Sequence, residues 1–342
     1  MSIIGMSGFG GLVLADDEIT LITGALSYST DTPNANTDRA LSHGSAIAQS
    51  RAHIPWTVAK SHFWYHYHFK NFDNNTSNDQ HVLGYGNGGV LLGGVSFEDS
   101  TNKLTIQING VVVATSIVVA TLATWVSIHV EVTLDAATGT VDVYKDGDLT
   151  TPVVSFGPGN TDPTAAGTAD QFFFHMRQLS SRIANLIAMD PDDATGIVDA
   201  NEFANPQIAV YVPDADSVTY AAWTPDSGAV GYTQIDERPS NPADYVEATA
   251  IGQASTFSHQ PSLGVASVVT AVKWSGQMTR TGTDAGVNVI VRRRQGVSDV
   301  DEAAVAAPGS GMVSFLWDEK VGGGNWSPTD LDATEFGVVS ET

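Results

Sequence analysis

Residues Thr124–Asp148 read TWVSIHVEVTLDAATGTVDVYKDGD, and their alternation decides the fold class. Val126, Ile128, Val130, Val132 and Leu134 fall on one side of an extended chain, with Ser127, His129, Glu131 and Thr133 on the other. A period of two marks a strand with one buried face. Asp135–Gly139 then supplies turn residues, after which Val141 and Val143 resume the buried set with Asp142 and Tyr144 opposite. Lys145-Asp146-Gly147 closes the second strand with another turn signal. The stretch predicts a β-hairpin with a trailing turn.

Working outward, strand patterns precede the hairpin at Glu18–Thr23, His62–Lys70, His81–Tyr85, Val90–Phe97, Lys103–Asn109 and Val111–Ala120. Others follow at Pro152–Phe156, Phe172–Met176 and Arg182–Met189. Clusters of Gly, Asn, Asp, Pro and Thr separate them at short intervals, the pattern of an all-β sandwich or barrel. Asp190–Pro206 is acidic, turn-rich and bounded by proline, which suits a domain edge. Beyond it, Ile208–Val212, Val218–Trp223, Tyr245–Ala250, Ala254–His259, Ser267–Trp274, Val287–Arg293, Met312–Trp317 and Phe336–Val339 give about eight more strands, a jelly-roll complement. Helical composition is confined to Asp299–Ala307, which Pro308-Gly309 ends. The expectation is an all-β chain of two tandem β-sandwich domains, residues 1–200 and 201–342, without a clear internal repeat.

A chain of 342 residues is long enough for one large or two ordinary domains, and a hydrophobic content of 42 % supports a proper core. It contains no cysteine, which excludes disulfide frameworks, thiolate metal sites and cysteine nucleophiles. A net charge of −23 repels nucleic acid and anionic membrane and favours solubility. The opening MSIIGMSGFGGLVLADDE has no basic residue ahead of its apolar run and makes a poor signal peptide. No apolar run approaches the ~18 residues of a membrane span. The longest, Val111–Leu122, is broken by Thr and Ser and reads as buried strand.

Ser61–Lys70, SHFWYHYHFK, sets Phe63, Tyr65, Tyr67 and Phe69 against His62, Trp64, His66 and His68. His66 and His68, two apart on one strand face, are the candidate metal ligands, without a carboxylate or third histidine at a matching spacing. The competing reading is an aromatic inner face backed by a half-exposed His/Trp face. Trp56, Trp64 and Trp125 are the candidate saccharide platforms, against the usual role of Trp as core. No catalytic residue is assigned. The carboxylate pattern of a retaining glycosidase on one strand is absent, and Glu131 has His129 and Thr133 as same-face neighbours. There is no G-x-S-x-G elbow, and the glycines of Gly5–Gly11 and Gly84–Gly94 lack a P-loop or dinucleotide setting, so they serve turns or close backbone approach. Asp190-Pro191-Asp192-Asp193 lacks the closing Glu and further ligands of an EF-hand, so a loop Ca²⁺ has no support and no cofactor is expected. Arg292-Arg293-Arg294 is the basic cluster, with Arg292 and Arg294 sharing a face; in so acidic a chain these pair with local carboxylates or a neighbouring subunit.

Two stretches carry resemblances. The Trp125–Gly147 hairpin and the strand Arg182–Asp190, RIANLIAMD, resemble concanavalin A-like (LamG-like) sandwiches across roughly Gly10–Asp199. Residues 206–342 resemble the C-terminal module of structural proteins in tailed-bacteriophage virions. The ordered pattern is Trp223-Thr224-Pro225, Ile235-Asp236-Glu237-Arg238-Pro239, Asp244-Tyr245-Val246, Val268–Val272 and Trp326–Gly337. The resemblance implies a LamG-like jelly roll followed by a smaller jelly-roll sandwich. It implies a non-enzymatic virion protein, of tail or head fibre or spike type, assembled in the host bacterial cytoplasm. It implies other virion proteins as partners, a homo-oligomer with a trimer favoured, and host-surface attachment through a glycan. The alternatives are a purely architectural decoration or connecting protein, and a polysaccharide-degrading enzyme on the same fold.

Overall fold

The computed structural model describes residues 2–7, 19–23, 26–33, 40–43, 50–71, 81–98, 101–119, 121, 123–176, 181–194, 206, 208–227, 230–236, 243–260, 269–281 and 287–342. The described residues up to Val210 form one compact unit and Tyr211–Thr342 a second. Both are β-sandwiches, and the chain is all-β apart from short helical turns. Among the described residues, no helix is long and apolar enough to cross a membrane.

The first unit opens with β1 (Ser2–Ser7), β2 (Thr20–Thr23), β3 (Leu26–Ser29), β4 (Ala40–His43) and β5 (Ser50–Lys60). It continues with β6 (His62–Asn71), β7 (His81–Asn87), β8 (Val90–Glu98), β9 (Lys103–Ile108) and β10 (Val111–Val119). The hairpin strands β11 (Val126–Thr133) and β12 (Gly139–Lys145) follow, then β13 (Val154–Gly159), β14 (Ala169–Met176) and β15 (Ser181–Asp190). One sheet runs β13-β12-β11-β6-β15-β4-β3, with β1 also on β15; the other runs β10-β9-β8-β7-β14-β5-β2.

The hairpin forms where the alternation puts it. Val130 faces Val143 and Val132 faces Val141 across the ladder, and all four are fully buried. Asp135 Oδ1 accepts from the N–H groups of Ala137 and Thr138, each at 2.7 Å, which folds the connecting turn onto itself. On its other edge β11 pairs with β6 from Val126↔Phe69 to Thr133↔His62. The inward rings of β6 then meet the second sheet: Phe69 stacks on Phe97 at 3.9 Å, Phe63 meets Trp56 edge-on at 4.8 Å, and Tyr65 meets Phe172. Offset and edge-on aromatic pairs of this kind add about 0.5–1.5 kcal/mol each beyond their buried area. Glycines set the spacing of β7 and β8. Gly84 faces Gly94, and a Cβ on Gly84 would strike the Gly93 carbonyl.

Two readings of this unit change. β5 is absent from the strand patterns read in the sequence, and it contains Pro55, a residue that argues against strand. Pro55 lies beyond the last residue that β2 pairs on that edge, His53. Among the described residues, Val111–Ile117 is not buried strand: β10 ends its sheet, with Val111 62 % and Ile117 91 % exposed. A mostly apolar run looks the same in sequence whether a neighbour strand exists or not.

The second unit holds β16 (Pro213–Ala221), β17 (Thr224–Pro225), β18 (Val246–Glu247), β19 (Ala254–His259), β20 (Val272–Met278) and β21 (Asn288–Gln295). It ends with β22 (Ser298–Asp301), β23 (Val305–Ala306), β24 (Gly311–Trp317), α1 (Pro328–Asp332) and β25 (Thr334–Glu341). The main sheet runs β16-β19-β25-β21-β22, with β23 also on β21, while β20 pairs with β24 and β17 with β18. Val289, Val291 and Val338 from the sheet pack with Val313 and Trp317 of β24, and with Trp326 and Leu331 around α1.

Asp299–Ala307 is not helix but β22 and β23. Cross-strand charge wins over composition: Arg292 faces Asp301 and Arg294 faces Asp299, on a turn where Gly296 has φ 63°. Ile208–Val212 is not strand, and Tyr245–Ala250 shortens to β18. Residues 195–205 of the acidic seam, Gly8–Gly11, and Glu237-Arg238-Pro239 and Val268 of the second-unit pattern lie outside the described residues.

Candidate functional site

The outer face of the eight-stranded sheet gathers most of the singled-out residues of the first unit. β6 brings Trp64, His66, His68 and Lys70 to that face. β11 brings Ser127, His129 and Glu131, and β12 brings Asp142 and Tyr144, because directly opposed residues share a face: His66↔His129, His129↔Tyr144, Trp64↔Glu131 and Glu131↔Asp142.

The centre of the face is a buried row of imidazoles. His66 and His129 are fully buried and His68 nearly so. His66 Nδ1 lies 3.3 Å from His129 Nδ1, and His66 Nε2 lies 3.2 Å from His68 Nδ1. Ser127 Oγ sits 2.9 Å from His129 Nε2, and Asn185 Nδ2 3.3 Å from His68 Nδ1. The backbone N–H of buried Ile208 donates to Asn185 Oδ1 at 3.4 Å, which orients the amide so that its NH₂ points at His68. That orientation leaves His68 Nδ1 as the acceptor from Asn185. Burial, first, and then the neighbouring His129 and His68 hold His66 well below the ordinary imidazole value, with a backbone hydrogen bond at Ile128 acting the other way.

The half-exposed His face expected for β6 is therefore buried at His66 and His68. His129, placed on the solvent side by its own strand, is a third imidazole that sequence reasoning passed over; the β6–β11 register is the signal that finds it. The three do not converge. His66 turns opposite ring nitrogens to its two neighbours, and among the described residues no group of three or more His, Asp or Glu is placed to hold one ion. Asp190 and Asp192 of the acidic loop are engaged elsewhere, by Lys60 and His62.

Two polar–aromatic clusters flank the row, about 20 Å apart from Trp64 to Lys70 at strand spacing. At the first, the rings of Trp64 and Tyr144 stack at 5.2 Å with 17° between planes. Tyr144 donates to Glu131 Oε2 at 3.4 Å, and His62 bridges Glu131 Oε1 at 3.3 Å and Asp192 Oδ2 at 2.9 Å. Burial, then the charges of Glu131 and Asp142, push the Tyr144 phenol up to about 12. At the second, Lys70 Nζ binds both oxygens of Asp31 at 3.0 and 2.9 Å and lies 5.8 Å from the Trp125 ring centre. Trp125 Nε1 donates to Asp31 Oδ1 at 3.4 Å. Trp64 and Trp125 are each half-buried, whereas Trp56 is only 7 % exposed and wedged edge-on between Phe63 and Phe172. Trp56 is a core ring and not a saccharide platform.

In the second unit the arginines meet carboxylates, as their strand placement implies. Arg292 grips Asp301 with Nε and a terminal nitrogen at 2.6 and 2.7 Å, and Arg294 binds Asp299 at 2.8 Å. Both lie over the Tyr220 ring. Arg293 turns inward to Glu302 at 2.9 Å and the Glu319 carbonyl at 2.8 Å, with its guanidinium 4.6 Å from the Trp317 ring centre.

No family model and no curated protein matches the chain. Several solved structures resemble it in part. A carbohydrate binding module from Bacillus subtilis is 13 % identical, with 51 % of this chain and 96 % of that one covered and a TM-score of 0.34. Lectin II from Ulex europaeus is 11 % identical, covering 53 % and 96 %, TM-score 0.37. A Bacillus subtilis protein of unknown function with a galectin-like fold is 11 % identical, covering 55 % and 96 %, TM-score 0.37. The likeness is one of β-sandwich fold.

Proposed function

We propose that this chain is a non-catalytic structural protein carried on the surface of a tailed-bacteriophage particle, and that its first unit contacts saccharide at the flanks of the outer sheet face. The observation that carries the saccharide part is the Trp64–Tyr144 stack beside Glu131. A half-exposed indole offers the apolar platform on which the C–H face of a sugar ring packs, and an adjoining carboxylate accepts from its hydroxyls. Trp125 with Asp31 and Lys70 repeats the combination at the other flank. The buried imidazole row lies between the two, so contact is made at the flanks and not along a continuous central groove.

Support for the virion part comes from the ordered pattern of residues 206–342. Its members Trp223, Trp326, Leu331 and Phe336 pack in and against the second unit's core. The test has two arms. Trp64→Ala and Trp125→Ala should each remove most of the signal of the wild-type chain on a bacterial glycan array, while Trp223→Ala leaves it. Immunogold against the chain should label intact particles. An array blank for the wild type overturns the saccharide reading, and label confined to host lysate overturns the virion reading.

One observation favours a hydrolase instead: Glu131 faces Asp142 directly across the β11–β12 ladder, which places two carboxylates within reach of one glycosidic bond. Against it, both Glu131 oxygens are occupied, by His62 and Tyr144. Reducing ends released by wild type and lost in Glu131→Gln would establish the hydrolase.

A further inference from the structure

β10 closes one edge of the seven-stranded sheet, and among the described residues only β9 pairs with it. Edge strands in single-copy proteins are normally blocked by Lys, by Pro, by an inward charge or by a β-bulge. β10 has no charge and no Pro, and carries only register shifts. From Leu104 to Val130 the sequence contains no Asp, Glu, Lys or Arg, in a chain of net charge −23. Val111, Val112, Val113 and Ile117 are exposed along it at 62, 39, 36 and 91 %. β10 leaves the β9 register between Val112 and Ala114 and again between Thr115 and Val119, and Ser116 Oγ accepts the Leu104 N–H at 3.1 Å. These irregularities hold Ile117 in solvent and add no blocking charge.

The strand's own sequence says what fits the edge. VVVATSIVV reads nearly the same in both directions about Thr115: Val111 corresponds to Val119, Val112 to Val118, Val113 to Ile117 and Ala114 to Ser116. A two-fold contact sets residue i of one copy against j of the other and j against i, so a strand of this symmetry places like apolar side chains opposite each other along its length. Two copies this acidic also repel, and a neutral edge is where they can approach closely. We propose that β10 is a homodimerisation edge, two copies pairing antiparallel about Thr115 so that the seven-stranded sheet of one continues into that of the other.

The absence of cysteine makes the test direct. In the proposed register Thr115 faces Thr115 of the second copy, at a Cα separation of about 4.5–5.5 Å, inside the roughly 4.4–6.8 Å range that a disulfide spans. The wild-type chain should sediment as a dimer. Thr115→Cys should form a disulfide-linked dimer under mild oxidant roughly tenfold or more faster than Val218→Cys, the excess expected of a pre-associated pair over random collision. Val218, fully exposed on β16, controls for accessibility. Ile117→Lys should yield a monomer with an unchanged circular dichroism spectrum and a thermal midpoint that no longer depends on protein concentration. If Thr115→Cys does not fold, a mixture of Val113→Cys and Ile117→Cys chains gives the same information, with mixed cross-links exceeding either self-link. A wild-type monomer or trimer, cross-linking no faster than the control, or a dimer that survives Ile117→Lys would each overturn the proposal.

Discussion

The imidazole row fixes the behaviour of single residues with pH. His66 is held neutral in the folded chain by burial and by His129 and His68. Unfolded, it takes a proton at the ordinary imidazole value of about 6.5. Below that pH the unfolded state binds the proton and the folded state refuses it, so stability present above pH ~6.5 drains away as the pH falls, by up to about 1.4 kcal/mol per unit for each histidine so held. Urea unfolding at pH 7.5, 6.5 and 5.5 should show this slope in the wild type and a shallower one in His66→Gln; equal slopes would remove His66 from the account. Asp330 behaves in the same sense, in a lower pH window. Ser327, then Lys320 and Gln295, hold its carboxylate down to about 2 against a smaller desolvation effect. Its contribution is present above the ordinary carboxylate range and is lost only as the pH falls toward 2.

At the scale of elements, close approach and capping decide what is tolerated. Gly84 and Gly94 face each other on β7 and β8 with no room for a Cβ on either. Gly94→Ala should therefore destabilise the first unit by about 1–3 kcal/mol, the range for overpacking, read as a lowered denaturant midpoint. The short helix α1 depends on a capping box: Ser327 Oγ accepts the Asp330 N–H at 3.1 Å and Asp330 Oδ2 accepts the Ser327 N–H at 3.2 Å. Ser327→Ala should cost about 1 kcal/mol and raise the acid midpoint of the second unit, because the same hydroxyl sustains Asp330. The β21–β22 hairpin is held by side chains that sequence reading assigned to a helix. In an isolated window DVDEAAVAA is helix-like; opposite Arg292 and Arg294 the spacing of Asp299 and Asp301 is that of one strand face.

At the scale of the whole molecule, a net charge of −23 makes the compact state repel itself. Raising NaCl from about 10 to about 150 mM shortens the screening length from roughly 30 to 8 Å and should raise the thermal midpoint; a midpoint indifferent to salt would mean that the carboxylates are locally neutralised by ion pairs such as Arg292–Asp301. Sequence alone determined the all-β class, the central hairpin, the aromatic inner face of β6 and the pairing of the arginines with local acids. Each of these follows from a period of two or from charge within one strand, and such patterns survive without knowledge of neighbours. Tertiary structure decided the rest. It buried the His66–His68 face by bringing His129 and Asn185 to it, made Trp56 core and left Trp64 and Trp125 half-open, and turned Val111–Val119 from interior to edge. All three depend on which strands lie side by side. A strand's alternation tells which residues share a face, but only the sheet order tells what covers that face.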